Sequence, residues 1–348
     1  MSEPEIVTAA KSVSDFTLRH MLPLWLDNLA ENLKQIRNGL GAESLPKRKE
    51  PCIVVAAGPS LTKLHHLEMI QNHAWTHTML ACDKMLSSCL THSLLPYAVG
   101  TVDGTNKILP FYESLAIRNE TKRIAALFSV FTHPDVVKTW KKHHGQIYWW
   151  TPLIDAIVTN EGRINPTSLT YAIHLMTKLK GIISGAGNVG AFLWNMACAL
   201  DCDPIILVGF DFSEQIVDKA NAIYFDGFTR MFLESPSPKG DKYRENPVLA
   251  TDAAADMHQV EVNPDVVSEC DYLPFFRKGE HPKYVVNPIW KHYRNILAEH
   301  VVSSGRHTIN CTGNGCLHTE AKDDDGNYIL KVPNFESRNL RDVLEEYK

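Results

Sequence analysis

Residues 181–211 read GIISGAGNVGAFLWNMACALDCDPIILVGFD and decide the fold class. A short apolar run at 181–185 leads into a glycine-rich turn and a helix-like stretch, and a second apolar run at 204–211 ends in Asp211. Strand, glycine turn, helix and strand in this order form the unit of a Rossmann-like sheet. The stretch therefore predicts an α/β protein with parallel strands.

Other apolar runs of strand length repeat this pattern along the chain. They show no alternation of polar and apolar residues, which is typical of strands buried on both faces of a parallel sheet. The runs lie at 52–58, 78–83, 97–103, 123–130 and 146–150. Because helix-like stretches separate them, the sequence predicts a doubly wound, mostly parallel, Rossmann-like sheet.

The chain divides into three regions. Residues 1–50 carry apolar side chains at helical spacing and then a polar linker with prolines, which predicts an N-terminal helical extension. Residues 51–232 hold the strand-like runs and predict the Rossmann-like, nucleotide-binding core. Residues 233–348 begin with a stretch rich in proline, glycine and charge, which predicts a lid loop and then a C-terminal block of helices and turns.

Composition restricts the class of protein further. Of the 348 residues, 44% are hydrophobic and 22% are charged, so disorder is excluded as the main state. The net charge of −5 gives no bulk attraction to nucleic acid, and we expect no nucleic-acid partner. We expect no membrane span and no secretory signal, because no apolar run has the required length or position. The 8 cysteines form no CxxC pair, which predicts reduced thiols and a cytoplasmic protein.

A glycine-containing turn follows the first apolar run of the core. In VVAAGPSLTKL, Gly58, Pro59 and Ser60 lie between a strand and a helix. Helix N-termini attract phosphate through their unpaired amides, and the Ser60 hydroxyl could contact a phosphate oxygen. The alternative is a tight strand-to-helix turn with no ligand. A Walker A loop is excluded, because its Lys-Ser/Thr pair is missing.

A second turn matches the GxGxxG pattern of dinucleotide-binding proteins at Gly185, Gly187 and Gly190. By itself it would indicate an NAD-dependent oxidoreductase. Two features disfavour that interpretation: the motif lies in the middle of the chain, and Asp211 follows Gly209 and Phe210 instead of ending the strand directly. We therefore expect no NAD.

Carboxylates follow three of the apolar runs, at Asp83, Asp103 and Asp211. Ligands of open α/β sheets bind at the carboxyl ends of strands, where these side chains could bind hydroxyls, hold a divalent ion or act as a base. Each could instead cap a helix. His258 and His281 flank the expected lid loop and are candidates for acid–base chemistry. Tyr224 and Asp226 are comparable candidates.

Taken together, several segments resemble one family. The chain is similar to the central domain of the motility accessory factor (Maf) glycosyltransferases, which is shared by the 6-hydroxymethylpterin pyrophosphokinase (MptE) proteins and distantly similar to bacterial sialyltransferases. The resemblance extends from Trp25 to Leu344. The segments that carry it are IVVAAGPSL, ACDKML, TVDGT, SGAGNVGAFLWNMACAL, PIILVGFDFS and INCTGNGCLH.

The resemblance implies roles for individual residues. Gly58, Pro59 and Ser60 would lie at the phosphates, and Asp103 and Asn188 would lie near the nucleoside. Asp211 would lie near the reacting centre or its metal, and Gly185 and Gly187 would serve a nucleotide sugar instead of NAD. The chain departs from the family pattern at Phe210, where Gln is usual, and at Gly313, where Glu is usual.

The resemblance also implies two activities. In the Maf branch the donor is a CMP-activated nonulosonate such as sialic, pseudaminic or legionaminic acid, and the acceptor is a protein or glycan. A base such as His258 or His281, or a carboxylate, would take the acceptor's proton. In the MptE branch ATP and a hydroxymethylpterin are the substrates, and Mg²⁺ would bind Asp103 and Asp211. A noncatalytic nucleotide-binding protein is the third alternative.

Overall fold

The computed structural model describes residues 21–185, 187–212, 214–215, 284–285, 288–313, 315, 317 and 334–348. The chain divides into two compact units. The first, called the core unit, comprises Leu24–Phe210, Glu299–Gly313 and Val332–Lys348. The second unit includes Asp211–Ala298 and Asn314–Lys331, and its described strands are an antiparallel pair, Glu214–Gln215 and Tyr284–Val285.

A ten-stranded parallel sheet organises the core unit. Its strands are β1 (Leu40–Gly41), β2 (Cys52–Val55), β3 (Thr78–Cys82), β4 (Ala98–Thr101), β5 (Ala125–Ser129), β6 (Gln146–Pro152), β7 (Ile182–Ile183), β8 (Ile205–Val208), β11 (Thr308–Asn310) and β12 (Phe335–Ser337), while β9 and β10 are the pair of the second unit. The strand order is β1-β6-β5-β4-β3-β2-β8-β11-β12, and β7 pairs with β6.

Helices connect the strands. Residues 21–37 form α1. The others are α2 (Ser60–Lys63), α3 (His66–Asn72), α4 (Asp83–Thr91), α5 (Leu115–Glu120), α6 (Pro134–Lys142), α7 (Leu169–Thr177), α8 (Val189–Ala199), α9 (Pro288–Ser304) and α10 (Leu340–Glu346), with 3₁₀ turns at Ala42–Ser44, Asn106–Tyr112 and Thr121–Arg123. None of the helices in the described ranges combines the length and apolar character needed to cross a membrane.

Apolar burial explains why the strands form. The central strands β2, β3, β4 and β8 are buried at every position, as expected for strands covered on both faces. One cluster of buried side chains surrounds Phe128, Trp140 and Trp149, and another surrounds Ile53 and Ile206. The doubly wound, Rossmann-like α/β fold predicted from the sequence is confirmed.

Three local features differ from the sequence-based expectation. The N-terminal helix ends at residue 37, before its expected end at Leu40, and Leu40–Gly41 forms a short strand that pairs with β6 ahead of the expected linker at 42–51. The apolar run at 181–185 supplies only the two residues of β7. The C-terminal block, expected to hold helices and turns, also adds β11 and β12 to the sheet.

Candidate functional site

The strand order changes direction between β2 and β8. From β2 the chain adds β3, β4, β5 and β6 on one side, and it then returns to place β8 on the other side of β2. The carboxyl ends of two strands at such a switch point leave a crevice, which is the usual ligand site of open α/β sheets. The candidate site is therefore the carboxyl edge of the sheet around β2 and β8.

Backbone hydrogen bonds join the strand exits at this edge. The Gly58 amide donates to the Gly209 carbonyl at 2.9 Å, and the Phe210 amide donates to the Thr312 hydroxyl at 3.1 Å. Gly209 has φ +75°, and a Cβ there would overlap the Ala56 carbonyl, so this close approach requires glycine. Hydrogen bonds therefore link the exits of β2, β8 and β11, the last of them through the Thr312 side chain.

The first glycine turn has fewer available backbone amides than a phosphate-binding loop needs. Because the Gly58 amide is bonded to Gly209 and Pro59 has no amide hydrogen, neither residue offers a backbone donor to a ligand. Pro59 is the N-cap of α2, which begins at the buried Ser60. The Leu61 and Lys63 amides of α2 are also bonded, to the Gly58 and Pro59 carbonyls, so the start of α2 offers few amides to a phosphate.

The second glycine turn lies against the first. Asn188 caps α8, and its side-chain oxygen accepts the Ala191 amide at 3.0 Å. A Cβ on Gly190 would lie 3.0 Å from the Phe210 ring and 3.2 Å from the Ala56 side chain. The first turn of α8 thus reaches the exits of both β2 and β8. Nearby, Gly187 has φ +78° and Gly185 faces Val102, which follows β4.

Two predicted carboxylates follow the adjacent strands β3 and β4. Asp83 is buried, whereas Asp103 is exposed. Burial raises the pKa of Asp83 to about 6, and the negative charge of Asp103 adds to the rise, while the Thr101 hydroxyl and the Lys84 amide oppose it. The Asp83 carboxyl accepts the Lys84 amide at 2.7 Å, and the Asp103 carboxyl accepts the Thr105 amide at 2.7 Å.

Sequence reasoning missed Tyr112, which lies close enough to Asp83 to sense its charge. Burial raises the pKa of this tyrosine, and the Asp83 charge adds to the rise. It also missed Asn28 of α1, whose amide contacts the exits of β4 and β5. A tyrosine in a 3₁₀ turn has no sequence signal for such a position. The sequence placed Trp25 and Asn28 in the N-terminal helical extension but gave no sign that they contact the sheet.

The remaining predicted residues belong to the second unit or lie outside the described residues. Asp211 is buried and begins the second unit, where Gly315, at φ +86°, packs directly on its backbone. Candidates His258, His281, Tyr224 and Asp226 lie outside the described residues.

The carboxyl edge has a limited capacity for metal. No group of three or more His, Cys, Asp or Glu side chains within the described ranges could hold a metal ion. Asp103, with Asp83 close enough to feel its charge, nevertheless fits the usual site of Mg²⁺, which binds one or two carboxylates and takes its other ligands from phosphates and water. These residues suit Mg²⁺ that arrives with a nucleotide.

The fold and this edge define a Rossmann-like α/β protein with two glycine turns at the switch point. The chain belongs to the MptE-like family, because the family's sequence model, described as 6-hydroxymethylpterin diphosphokinase MptE-like, matches residues 26–217. This match confirms the resemblance inferred from the motifs.

A solved structure shares the fold. The chain is similar to a Maf glycosyltransferase from Magnetospirillum magneticum AMB-1, with a TM-score of 0.50 and 12% sequence identity. The similarity covers 90% of this chain and 38% of that chain, so this chain spans well under half the length of that protein. No curated protein sequence matches the chain.

Proposed function

We propose that this chain is a transferase that binds an activated nucleotide at the carboxyl edge of the sheet and transfers a glycosyl group from a nucleotide sugar. One observation carries the proposal: the two glycine turns meet at the switch point, with Gly190 against Ala56 and Gly209 against the same residue. This packing places the start of α8 directly beside the exits of β2 and β8, where anionic ligands of open α/β sheets bind.

Phosphate recognition would fall to the helices that begin at this edge. The first turn of α8 would supply amides and the positive end of the helix dipole, and the short α2 would contribute less, because its Leu61 and Lys63 amides are already bonded. These groups would stabilise the negative charge that develops on the departing nucleotide as its bond to the anomeric carbon breaks. Asp103 would contact the nucleoside or an Mg²⁺ ion that travels with the phosphates.

The acceptor hydroxyl that attacks the anomeric carbon must lose its proton to a base. A base works best when its pKa lies near the working pH. Asp83, whose pKa is about 6 because of burial and the neighbouring Asp103, fits this requirement. Asp211, His258 and His281 stay predictions for the same role. The donor class inferred from the resemblance is a CMP-activated nonulosonate.

The family assignment favours a second candidate, ATP-dependent diphosphate transfer to a hydroxymethylpterin. Mg²⁺ would then neutralise charge on the transferred phosphates. In both reactions the nucleotide would lie at the same edge, so its identity separates them.

Calorimetric titration of the full chain with CMP, CDP, ATP and NAD, each with and without Mg²⁺, tests the proposal. We expect binding of a cytidine nucleotide. Binding of ATP that strictly requires Mg²⁺ would support the diphosphokinase instead. Binding of NAD would support an NAD-dependent oxidoreductase. The absence of binding to any nucleotide would overturn both transferase candidates and favour a noncatalytic protein.

A matched pair of variants locates the site. Asp103→Asn removes a charge at the carboxyl edge, whereas Asp203→Asn removes an equally exposed charge just before β8, at the amino edge. We expect the first to change the affinity for the nucleotide with Mg²⁺ at least roughly fivefold and the second to leave it within about twofold. Equal effects would place the nucleotide elsewhere.

A further inference from the structure

Helix α1 is hydrogen-bonded to the loop after β4 through one buried side chain. The Asn28 side-chain amide donates to the Gly104 carbonyl at 2.7 Å and to the Phe131 carbonyl at 2.8 Å. A side-chain amide has two hydrogens, so Asn28 uses its full capacity to donate. Gly104 follows β4 and Phe131 follows β5. One side chain therefore links the exits of two adjacent strands.

Aromatic packing holds the same loop from a second side. The Trp25 ring stacks on Phe131, with centroids 5.2 Å apart and planes 7° from parallel. A Cβ on Gly104 would lie 2.8 Å from both the Phe131 carbonyl oxygen and the Trp25 ring. The backbone at Gly104 consequently has no room to move towards α1.

Asp103 is the exposed residue immediately before this fixed point. Its carboxylate accepts the Thr105 amide at 2.7 Å, on the far side of Gly104. The backbone that carries Asp103 is thus bonded to α1 through the Gly104 carbonyl, and the carboxylate is bonded to the loop itself. The direction of Asp103 depends on where Asn28 holds Gly104.

A second asparagine on α1 provides an internal comparison. Asn32, one helical turn further along, donates its amide to the Thr132 carbonyl at 2.7 Å and is fully buried. It contacts the exit of β5, as Asn28 does, and its side-chain amide bonds there and not to the loop of Asp103. Both residues attach α1 to the sheet, but Asn28 alone is bonded to Gly104 among the described hydrogen bonds.

We propose that Asn28 is a positioning residue that holds the Asp103 carboxylate in the orientation required by the activated nucleotide or its Mg²⁺. The inference rests on the proposed function, because it assigns Asp103 to the nucleotide site. It extends that site to the N-terminal helix, which otherwise only covers the sheet.

The test compares Asn28→Ala with Asn32→Ala in the full chain, using whichever of CMP, CDP or ATP the wild-type protein binds, with Mg²⁺. Both variants lose buried hydrogen bonds, and we expect both to lower the melting temperature. Asn28→Ala should weaken nucleotide binding about fivefold, no more than Asp103→Asn does, and Asn32→Ala should change it less than about twofold. Equal affinities of the two variants would overturn the proposal.

A double-mutant cycle separates positioning from general support. If Asn28 acts through Asp103, then Asn28→Ala should have no further effect on affinity in a chain that already carries Asp103→Asn. Additive losses would overturn the proposal. If Asn28→Ala does not fold, Asn28→Leu fills a similar volume without a hydrogen-bond donor, and wild-type affinity in that variant would equally overturn the proposal. A wild-type protein that binds no nucleotide would instead refute the proposed function, and this inference with it.

Discussion

Two carboxyl groups at opposite edges of the parallel sheet, Glu50 and Asp83, have pKa values shifted in opposite directions. At the amino edge, burial alone would raise the pKa of Glu50, but hydrogen bonds from Thr78 and Arg48 outweigh it and hold this pKa below its ordinary value. At the carboxyl edge, burial and the nearby Asp103 raise the pKa of Asp83 to about 6. The surroundings of Glu50 therefore stabilise its charged form, whereas those of Asp83 favour its neutral form.

Hydrogen bonding follows the same division. At the amino edge, Arg48 pairs with Glu50 at 2.7 Å and its guanidinium lies 4.7 Å from the centre of the Tyr97 ring. At the carboxyl edge, the hydroxyls of Thr105 and Thr132 are buried without a hydrogen-bond partner in the part of the chain that the structure describes. Unpartnered buried groups reduce stability, and proteins retain them mainly where a ligand or ordered water uses them. The amino edge thus hydrogen-bonds its charged groups, whereas Thr105 and Thr132, in the described part of the carboxyl edge, keep unbonded hydroxyls, as we expect if the proposed nucleotide site lies there.

The largest expected effect concerns the close backbone contact at the carboxyl edge. Gly209→Ala would place a methyl group against the Ala56 carbonyl and force alanine into φ +75°. The unfavourable φ alone costs about 1–2 kcal/mol, and the overlap adds to it, so we expect a loss of roughly 3 kcal/mol or more in the free energy of unfolding. Urea denaturation measures this loss.

Gly162 is the control for that prediction. It has the same φ, +75°, but nothing lies within 4 Å of the position that its Cβ would occupy. Gly162→Ala should therefore lose only about 1 kcal/mol, the cost of the backbone conformation. If the two variants lost equal stability, the contact between Gly209 and Ala56 would contribute nothing to stability. The close approach of the β2 and β8 exits would then not be a structural requirement of the carboxyl edge.

The next effect concerns the pH dependence of stability. The pKa of Asp83 rises from 3.8 to about 6 on folding, so the folded chain binds more protons than the unfolded chain between these values. The Asp83 contribution therefore makes the protein less stable as pH rises through this window. Asp83→Asn should remove that fall and raise stability at pH 7 by up to about 3 kcal/mol, as measured by urea denaturation from pH 4 to pH 7.

Asp103→Asn serves as the graded comparison for Asp83. The Asp103 charge contributes to the raised pKa of Asp83. Its removal should therefore narrow the pH range over which stability falls, without abolishing the fall. Lys84 and Tyr112 stay unchanged in both variants.

An Asp83→Asn protein whose stability falls with pH as steeply as that of the wild type would show that another group titrates there, and the contrast between the edges would lose its electrostatic basis.

Sequence reasoning predicted the parts of the fold that local pattern determines. The strands β2 to β6 and β8 are apolar without alternation, because both faces of the sheet are covered, and this pattern is visible in one chain. β11 and β12 were not predicted as strands, since three residues such as Thr308–Asn310 have little pattern of their own and pair only because β8 offers an edge. The two residues of β1 form for the same reason beside β6.

The candidate site was predicted less completely than the fold. Glycines and carboxylates at strand ends could be identified, because turns and strand exits constrain residue type. The contact between Asn28 and Gly104 joins residues 76 positions apart, and no local sequence pattern predicts it. Likewise, the sequence shows Asp83 after a strand but not its burial, which causes its raised pKa.

The smallest expected effect tests the other side of the comparison, at the amino edge. Glu50→Gln removes a charge that Arg48 and Thr78 bind, so we expect a loss of about 1 kcal/mol at pH 7 in urea denaturation. Because the pKa of Glu50 is lowered on folding, its stabilisation is present above its ordinary value of 4.5 and is lost as pH falls below it, so variant and wild type should converge in acid. Glu161→Gln, which removes an exposed charge 3.8 Å from Arg163, is the control and should change little. Nucleotide affinity should stay at the wild-type level in both variants. A Glu50→Gln protein that lost affinity as Asp103→Asn does would show that the two edges act together, and the division between a stabilising edge and a binding edge would fail.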